Sequence, residues 1–552
     1  MITLNNINLS SIDLSGIDLR GIKLGLGGRG GGSGDGFPVL PGDVTRWHFG
    51  GLTNEMMAAM DDPRIEDADH KGRFLSFKNF AWKGMSGVGG YGDENYQTFY
   101  KFTLDDYVFI ATPPGVEHMN FTFRVTGLQP GNKLTLAFFG TTNTVYGIWN
   151  KDGIYTVDAD IVEAGKPTYF YNGYGATRGE FTIEILPLYP GFILGDGVDD
   201  VAVTEKELNF EDTYTVYTAF IPFQNNPTRN MILCGADSKK TFSMQYSSLV
   251  YVSFIAGNNY YINADFVNGL NLFACKRNGN NICIKNLLTN KVVTGTCGDW
   301  VENAGLYYLW KNATYASFAK AAIAGQTICN GYFSTDEDDE KVLDWYKKQY
   351  PWLFPDQAWT VVGKTNEDED RATIANITGN GNDLVLSNFG FIEGSGYNEE
   401  GEHAGYLVTD GVDDKVENSP FTLNKDWTIV GNWTMLSNIP SNCGIIKVSS
   451  MFLYNSLDGV TIYFAGGPIK IQSKSINAFC SDGRIYLNDW TEILKPDAQI
   501  ASGGSKSSLN IASYSANFTK MAFKNLAIYD GKNLSKDDCI KAYNYLQTLK
   551  AK

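Results

Sequence analysis

Short stretches of alternating apolar and polar residues cover most of the chain, and Asn, Gly and Asp separate them. In segment 121–140, the stretches FTFRVT and KLTLAFF flank a turn that contains Pro-Gly. Side chains that alternate in this way point to opposite faces of a sheet, and many short strands between turn residues are typical of sandwiches. Two stretches, 335–346 and 535–546, instead show helical spacing after a Thr or Ser with an acid three residues later. The pattern predicts an all-β protein with two short helices.

The first 24 residues have a period of five. Ile recurs at positions 2, 7, 12, 17 and 22, and Leu at 4, 9, 14, 19 and 24. This period fits neither a strand nor a helix, and it resembles the pentapeptide-repeat β-helix, with Ile where that family has a small residue. One coil leaves its ends uncovered, so we expect other copies of the chain or a docking partner to order the segment. A short strand with accidental regularity is the alternative.

Farther on, the chain repeats itself. LGDGVDDVAV at 194–203 matches VTDGVDDKVE at 408–417, and the module ends match at 317–331 and 517–531. A shorter repeat, TNE…NF…GYG, precedes each module. A near-constant offset over such distances indicates a duplicated domain. The predicted organisation is a five-residue-repeat N-terminal anchor at 1–24, a Gly-rich tether at 25–36, a preface module at 37–92, a β-sandwich-like domain at 93–190, a sandwich at 191–355, a second preface module at 356–402 and a second sandwich at 403–552.

Composition and charge exclude several functions. The chain has 552 residues and a formal net charge of −16, which argues against nucleic-acid binding because that depends on clustered Lys and Arg. No stretch reaches the roughly 18 consecutive apolar residues of a membrane-spanning helix, so we expect no membrane insertion. The start has no basic and apolar leader, so we expect no export signal. The eight Cys and four His lack zinc-ligand spacing, which predicts free, mostly buried thiols.

The two long modules resemble concanavalin A-like, laminin-G-like jelly-roll domains, on the DGVDD turns and the closing segment FKNLAIYDGKNLSKDDC. With the prefaces and the repetitive start, the chain resembles virion fibre and tail proteins of bacteriophages that infect gut Bacteroidetes, including crAss-like phages. The resemblance implies a structural virion component, assembled in the host cytoplasm, that exposes glycan-binding sandwiches to a host surface glycan. The expected fold is all-β and multidomain, with two jelly-roll (laminin-G-like) sandwiches, a further β domain and a short N-terminal repetitive β anchor.

The N-terminus is then the expected attachment to other virion proteins. Its ladder is too short to bury a core of its own, so we expect a homo-oligomer, a dimer or a trimer. The predicted virion anchor consists of Ile7, Leu9, Ile12, Leu14, Ile17, Leu19, Ile22 and Leu24.

Two acidic clusters are candidate calcium ligands, because calcium favours clustered oxygen atoms. In the alternative interpretation, the first Asp and the Gly form a turn and the last Asp begins the next strand. We favour the turn, and calcium is the one candidate cofactor. The clusters are Asp196, Asp199 and Asp200, and Asp410, Asp413 and Asp414.

The sequence lacks the patterns of common hydrolases. Retaining glycosidases need two carboxylates about 5 Å apart, and concanavalin-like enzymes place them alternately on one strand. Asp158, Asp160 and Glu163 come nearest but lie outside the duplicated modules, and there is no GxSxG elbow. We therefore expect a non-enzymatic protein with no catalytic residues. A phage-tail polysaccharide depolymerase, a purely architectural capsid or tail decoration and a bacterial surface adhesin are the alternatives.

Overall fold

The computed structural model describes residues 36–91, 99–103, 107–110, 118–138, 144–160, 168–173, 179–223, 231–236, 242–246, 249–256, 258–265, 267, 269–300, 303–312, 315–379, 381–400, 403–436, 444–448, 451–456, 459–464, 467–471, 473, 475–494, 506–507, 509–511, 513–514 and 517–551. The predicted anchor at 1–24, with its eight apolar residues, and nearly all of the tether lie outside the described residues.

The chain begins with strands of the first sandwich and then enters an inserted β domain. The strands of the first part are β1 (Asp43–His48), β2 (Arg64–Glu66), β3 (Phe74–Lys78) and β4 (Gly87–Val88), with helix α1 (Asn54–Ala58) after β1. The strands of the inserted domain are β5 (Phe99–Phe102), β6 (Tyr107–Ile110), β7 (His118–Thr126), β8 (Lys133–Phe138), β9 (Thr144–Trp149), β10 (Gly153–Asp160), β11 (Thr168–Gly173) and β12 (Phe181–Ile185).

The inserted domain is a sandwich of two antiparallel sheets. Their strand orders are β10-β7-β12-β5 and β6-β11-β8-β9. Alternate residues of β7 point inward, so Phe121 and Phe123 pack against Phe170 of the facing sheet. The predicted β-sandwich-like domain corresponds to this body.

The first sandwich resumes after the insertion. Its strands are β13 (Ile193–Asp196), β14 (Val201–Thr204), β15 (Leu208–Phe210), β16 (Thr213–Pro222), β17 (Met231–Ala236), β18 (Phe242–Tyr246), β19 (Val250–Ala256), β20 (Asn258–Ala264), β21 (Asn271–Asn278), β22 (Asn281–Asn286), β23 (Val292–Thr296), β24 (Asn303–Gly305), β25 (Tyr307–Leu309), β26 (Lys311–Asn312), β27 (Tyr315–Phe318) and β28 (Lys320–Asn330). Helix α2 (Asp336–Gln349) and a 3-10 turn (Pro351–Leu353) follow.

The second sandwich repeats this series. Its strands are β29 (Gln357–Thr360), β30 (Thr373–Ile374), β31 (Leu384–Ser387), β32 (Gly396–Asn398), β33 (Tyr406–Val408), β34 (Lys415–Asn418), β35 (Phe421–Thr422), β36 (Trp427–Met435), β37 (Gly444–Val448), β38 (Met451–Ser456), β39 (Gly459–Phe464), β40 (Gly467–Ile471), β41 (Ile476–Cys480), β42 (Arg484–Leu487), β43 (Glu492–Leu494), β44 (Lys506–Ser507), β45 (Leu509–Ile511), β46 (Ser513–Tyr514), β47 (Asn517–Phe518) and β48 (Met521–Asp530). Helix α3 (Lys536–Thr548) closes it.

The two sandwiches share one topology. One sheet runs β23-β22-β21-β16-β28-β13-β4 in the first and β43-β42-β41-β36-β48-β33-β32 in the second. The facing sheets run β2-β3-β14-β25-β17-β18-β19-β20 and β30-β31-β34-β45-β37-β38-β39-β40. Even the β-bulge of the central strand recurs, at Ala219/Phe220 and at Asn432/Trp433. The predictions of an all-β fold and of paired sandwiches are confirmed.

The preface modules are parts of the sandwiches, which corrects the separate modules drawn at 37–92 and 356–402. Strand β1 pairs with β28, β3 pairs with β14, and β4 pairs with β13. In the second copy, β29 pairs with β48, β31 with β34, and β32 with β33. These strands complete sheets whose backbone N–H and C=O groups would otherwise remain unpaired. The first sandwich is therefore interrupted by the inserted domain, and the second is continuous.

The helices lie between the sandwiches. One apolar cluster joins Tyr217 of the first sandwich, Trp345 of α2, Tyr529 of the second sandwich and Leu546 of α3. Each helix covers the outer face of its own sheet. The two sandwiches therefore share one apolar core and are not independent domains joined only by a linker. In the described part of the chain, no helix has the length and apolar character to cross a membrane.

Candidate functional site

The DGVDD segment of the first sandwich is a tight turn between β13 and β14. Asp196 Oδ1 accepts a hydrogen bond from the Val198 N–H at 2.7 Å, and Asp200 Oδ2 accepts one from the Asp196 N–H at 2.9 Å. Gly197 has a left-handed φ of +82°, and a Cβ there would lie 2.9 Å from the Lys320 Cβ. Short acidic side chains beside a left-handed Gly are typical of turns.

The second copy repeats the turn between β33 and β34. Asp410 Oδ1 accepts from the Val412 N–H at 2.7 Å, and Asp414 Oδ2 accepts from the Asp410 N–H at 2.8 Å. Gly411 has a φ of +79°. The duplicated sequence thus folds into duplicated local structure.

Ser side chains from segments 37–92 and 356–402, the predicted prefaces, are hydrogen-bonded to both turns. The Ser86 hydroxyl donates to Asp200 Oδ1 at 3.0 Å, and the Ser395 hydroxyl donates to Asp414 Oδ1 at 3.1 Å. Burial raises the pKa of the Asp200 carboxyl to about 7 and that of Asp414 to about 6, although these hydrogen bonds act in the opposite direction.

The Asn of the NF motif donates a further hydrogen bond to each turn. Asn79 donates through Nδ2 to the Asp199 carbonyl at 3.0 Å, and Asn388 donates to the Asp413 carbonyl at 3.0 Å. Both Asn residues have a φ of +69°, in the left-handed region that Asn tolerates. The Asn of the NF motif therefore has the same structural role in both copies.

The six predicted metal ligands come together as two clusters. In each cluster, one oxygen atom from every carboxylate lies within 4.8 Å of the others. The first and last carboxylates of each cluster, however, already accept backbone N–H groups, and the last one also accepts a Ser hydroxyl. These contacts are those of a turn, and none of them assigns a role to a cation. Calcium at these positions stays a hypothesis.

A different region has the shape of a binding site. An open cleft of about 550 Å³ lies where α1 and the β3–β4 loop meet the edge strand β5 of the inserted domain. Clefts of this size that combine aromatic faces with a few polar groups are common small-molecule sites. The cleft is lined by Asn54, Glu55, Ala58, Trp82, Lys83, Phe99, Tyr100, Lys101 and Val108.

Packing around Trp82 fixes the position of its ring at the cleft. Trp82 is half-buried and stacks on Phe80, with ring centroids 5.1 Å apart and an interplanar angle of 21°. Gly87 lets the loop close tightly, because a Cβ there would lie 2.9 Å from the Trp82 Cα. Phe99 lines the cleft from β5 and is 51% exposed, in a domain that buries its other described Phe side chains. An exposed ring at such a position offers a flat apolar face to a ligand.

Charged groups surround the rings. Glu55 and Lys83 are exposed on the sandwich side, and Lys101 is exposed on the insertion side. The Lys101 ammonium lies 2.5 Å from a Glu180 carboxylate oxygen. The residues that line the cleft therefore include one carboxylate acceptor and two ammonium donors.

In the second sandwich, where no domain is inserted, different residues stand at the corresponding positions. Phe391 occupies the place of Trp82, and Ile392, 64% exposed, occupies the place of Lys83. The Arg371 guanidinium lies over the Phe391 ring at 5.2 Å from its centroid. Only the interrupted copy, among the described residues, has a second aromatic wall.

The structure gives Asp158, the first of the acids near 158–163, a structural role. Its Oδ2 accepts from the Lys524 ammonium at 2.8 Å, from the Tyr406 hydroxyl at 2.8 Å and from Asn432 Nδ2 at 3.2 Å. Asp158 therefore fastens the inserted domain to the second sandwich. Glu163 lies outside the described residues.

Comparisons with known proteins return solved structures only: no protein-family model matches the chain, and no curated protein matches it. Domain 4 of the extracellular arabinanase AbnA from Geobacillus stearothermophilus, in complex with arabinotriose, is 15% identical, with 28% of this chain and 80% of that chain covered and a TM-score of 0.20.

A botulinum neurotoxin type C structure, described as dependent on two ganglioside molecules for cell entry, is 10% identical. It covers 60% of this chain and 87% of its own, with a TM-score of 0.25. The VIP36 exoplasmic/lumenal domain, bound to Ca²⁺ and Man3GlcNAc, is 10% identical over 29% of this chain and 87% of its own, with a TM-score of 0.21. At these values the similarity supports no functional argument for this chain.

Proposed function

We propose that the protein is a non-enzymatic glycan-binding protein whose binding site is the aromatic cleft between the first sandwich and the inserted domain. The observation that supports this most directly is that two aromatic rings, Trp82 of the first sandwich and Phe99 of the inserted domain, line one cleft of about 550 Å³. Sugar rings have apolar C–H faces that pack on aromatic rings, and their hydroxyl groups bond to carboxylate and ammonium groups at the rim. Glu55, Lys83 and Lys101 supply such groups here.

The acids of the cleft support binding without hydrolysis. Glycosidases use two carboxyl groups, about 5 Å apart for retention or roughly 6.5–9.5 Å apart for inversion. Glu55 is the one carboxylate among the described residues that line the cleft. Asp158 is committed to the Lys524 ammonium and cannot serve as the partner.

We further propose that the protein is a fibre or tail component of a phage virion that presents this cleft to a host surface glycan. The support is in the sequence: the five-residue ladder at 1–24, the Gly-rich tether and the tandem modules resemble such proteins. The ladder would join the chain to other virion proteins and to further copies of itself. Deleting 1–36 tests this part: we expect loss of oligomers and of virion attachment, and retention of both would contradict the anchor.

The glycan-binding proposal is tested with host capsular polysaccharide. Binding and polysaccharide chain length are followed together for the full-length protein and for the variants Phe99→Ala and Trp82→Ala. We expect binding to intact chains, weakened about tenfold by either variant, since contacts with one aromatic ring contribute on the order of 1 kcal/mol beyond the apolar area they bury.

Phe391→Ala in the second sandwich is the matched control and should bind normally. Equal loss in all three variants would contradict the cleft as the site. Shortened polysaccharide would favour the depolymerase alternative, and absence of binding would favour an architectural decoration.

A further inference from the structure

Two buried thiols are in contact where α3 packs on the second sandwich. Cys480 is the last residue of β41, and Cys539 is the fourth residue of α3. Both side chains are fully buried, and the two thiols are hydrogen-bonded to each other. Among the seven cysteines that the structure describes, this is the one hydrogen bond between two thiols. Since the sulfur atoms of a disulfide lie about 2.05 Å apart, thiols already in hydrogen-bond contact can be joined by side-chain rotation and a small shift of the helix.

The surroundings of the pair favour a thiolate at Cys480. The hydrogen bond from Cys539 lowers the pKa of the Cys480 thiol, against the effect of burial. The Thr428 hydroxyl, 3.5 Å from the Cys480 Sγ, and the nearby Arg484 guanidinium act in the same direction as that bond. Burial raises the pKa of the Cys539 thiol, and its contact with Cys480 adds to the rise. Because the thiolate is the form of cysteine that reacts with oxidants, Cys480 is the reactive member of the pair.

A bond between the two sulfur atoms would act on the helix that joins the three parts of the molecule. Helix α3 contributes Leu546 to the apolar cluster shared by the two sandwiches. Its Asn544 Oδ1 also accepts a hydrogen bond from the Thr122 hydroxyl of the inserted domain at 2.6 Å. The equivalent positions of the first sandwich hold the ion pair of Lys276 and Asp339, which oxidation does not join. The second sandwich therefore differs from the first in having an oxidisable pair at this contact.

We propose that Cys480 and Cys539 are a redox-dependent modification site, at which hydrogen peroxide converts the two thiols to a disulfide that fixes α3 to the second sandwich. The Cys480 thiolate attacks one peroxide oxygen, the O–O bond breaks, and the products are a sulfenic acid and hydroxide. The Cys539 thiol then attacks the sulfenic sulfur, the S–S bond forms, the S–O bond breaks, and the leaving hydroxyl takes the thiol proton and departs as water. The two sulfur atoms lose two electrons in total, and the peroxide becomes two molecules of water once the hydroxide takes up a proton.

The start of α3 gives peroxide, which is small and uncharged, a route to the pair. Ser535, the N-cap residue, is exposed, and Cys539 lies about one helical turn beyond it. Opening of a terminal turn costs less free energy than global unfolding, so it admits the oxidant while the fold persists. In a reducing compartment such thiols stay reduced, and we therefore expect the disulfide only after the protein meets an oxidising medium.

The experiment uses the full-length protein, purified with a reductant, desalted and exposed to hydrogen peroxide in native buffer. We expect the thiols that titrate after unfolding to fall from eight to six per chain, and the intact mass to fall by two hydrogen atoms. Digestion without reductant should give one pair of peptides linked through Cys480 and Cys539, and dithiothreitol should separate them. The oxidised protein should unfold at a temperature higher by about 5 °C or more, because the bond closes a long loop of the unfolded chain.

Two variants and a control locate the bond. Cys480→Ser and Cys539→Ser should each abolish the linked peptides and the rise in unfolding temperature. Cys329→Ser, which changes a buried thiol of the first sandwich that is hydrogen-bonded to no other thiol, should keep both effects. If a Ser variant folds poorly, the wild-type peptide map still decides. Eight thiols after oxidation, oxygen added to the two sulfur atoms without a link, or a link that forms only in urea-unfolded protein would each overturn the inference.

Discussion

Asp200 and Asp414 occupy the same position in the two sandwiches and have the same two donors, a backbone N–H and a Ser hydroxyl. Burial outweighs these hydrogen bonds, so the pKa of each carboxyl is raised, to about 7 and about 6. A carboxyl with a higher pKa in the folded chain than in the unfolded chain binds more protons when folded. Its contribution therefore makes the fold less stable as the pH rises from about 4 to about 7.

Replacement of Asp200 by Asn should remove this contribution. The amide keeps an oxygen for the Asp196 N–H and an NH₂ for the Ser86 oxygen, but it does not ionise. Relative to Asp200→Asn, we expect the wild type to lose on the order of 2 kcal/mol of unfolding free energy between pH 5 and 8, since one pKa unit corresponds to about 1.4 kcal/mol and solvent screens part of the shift. Urea unfolding at several pH values measures this difference. Asp199→Asn, at the exposed middle acid, is the control, and parallel curves for Asp200→Asn and the wild type would contradict the prediction.

At the scale of single residues, the sequence predicts turns well and the residues of the proposed binding cleft poorly. The DGVDD turns follow from local rules, because a short acid accepts nearby backbone N–H groups and Gly accepts a positive φ. Trp82 lay inside a recognised repeat, yet nothing in the repeat distinguishes it from a core residue. Phe99 is one of 33 Phe residues, and its exposure depends on an edge strand that no local pattern identifies.

The two closing helices contact their sheets through buried pairs of different chemistry, an ion pair in the first sandwich and two thiols in the second. In α2, the buried Asp339 carboxylate lies 2.7 Å from the Lys276 ammonium of β21, and it also accepts the Tyr217 hydroxyl at 3.0 Å. The same two positions in the second sandwich hold Cys539 of α3 and Cys480 of β41. These two thiols are hydrogen-bonded to each other, and that bond lowers the pKa of Cys480. Both residues of the pair differ between the two sandwiches, so each sandwich has two side chains that interact favourably with each other.

The matched pair can be tested in the first sandwich. Lys276→Met removes the nearest cation from the Asp339 carboxylate, and we expect a loss of about 3 kcal/mol, since breaking a buried pair typically costs 3–5 kcal/mol and Lys285 remains 3.3 Å away. The double variant Lys276→Cys, Asp339→Cys copies the second sandwich and should lose less than Lys276→Met, because it leaves no buried charge without its partner. Denaturant unfolding measures both, and a double variant that loses more than Lys276→Met would contradict the idea of interchangeable pairs.

Helix starts were predictable and sheet partners were not. Thr335 and Ser535 accept the N–H of Asp338 and Asp538, as the capping-box-like starts predict, because a cap involves only neighbours in sequence. The sequence predicts the prefaces as separate modules because it does not show that Val44 pairs with Cys329, far along the chain. Alternation identifies a strand but carries no information about which distant strand it joins.

On the scale of the whole molecule, the inserted domain is visible as a change in the sequence offset between the two copies. The offset between copies is 309 at Gly87 and Gly396, and 214 at Asp196 and Asp410. The difference of 95 residues is the segment that interrupts the first copy and folds as its own sandwich. The change in offset thus marks the length of an inserted domain, and the strand pairing shows where that domain interrupts the first sandwich.

The inserted domain is fastened to the second sandwich by two ion pairs that differ in burial. The Lys524 and Asp158 side chains are 6% and 14% exposed, and their charged atoms lie 2.8 Å apart. The Lys151 and Asp489 pair spans the same two bodies at 3.2 Å, but Lys151 is 63% exposed. Removal of one partner from the buried pair leaves a charge that is largely shielded from water, whereas the remaining partner of the exposed pair is hydrated.

Lys524→Met and Lys151→Met therefore form a matched test of how the three bodies are held together. We expect Lys524→Met to lower the unfolding free energy by about 3 kcal/mol and Lys151→Met by at most about 0.5 kcal/mol. Hydrogen exchange adds the location: in Lys524→Met, amides of β7 and β10 should exchange faster, because the Asp158 carboxylate then favours separation of the insertion from the second sandwich and contact with water. Equal losses in the two variants, or faster exchange confined to β48, would mean that Lys524 stabilises its own sheet and that other contacts, such as the hydrogen bond from the Thr122 hydroxyl to Asn544 Oδ1, hold the insertion in place.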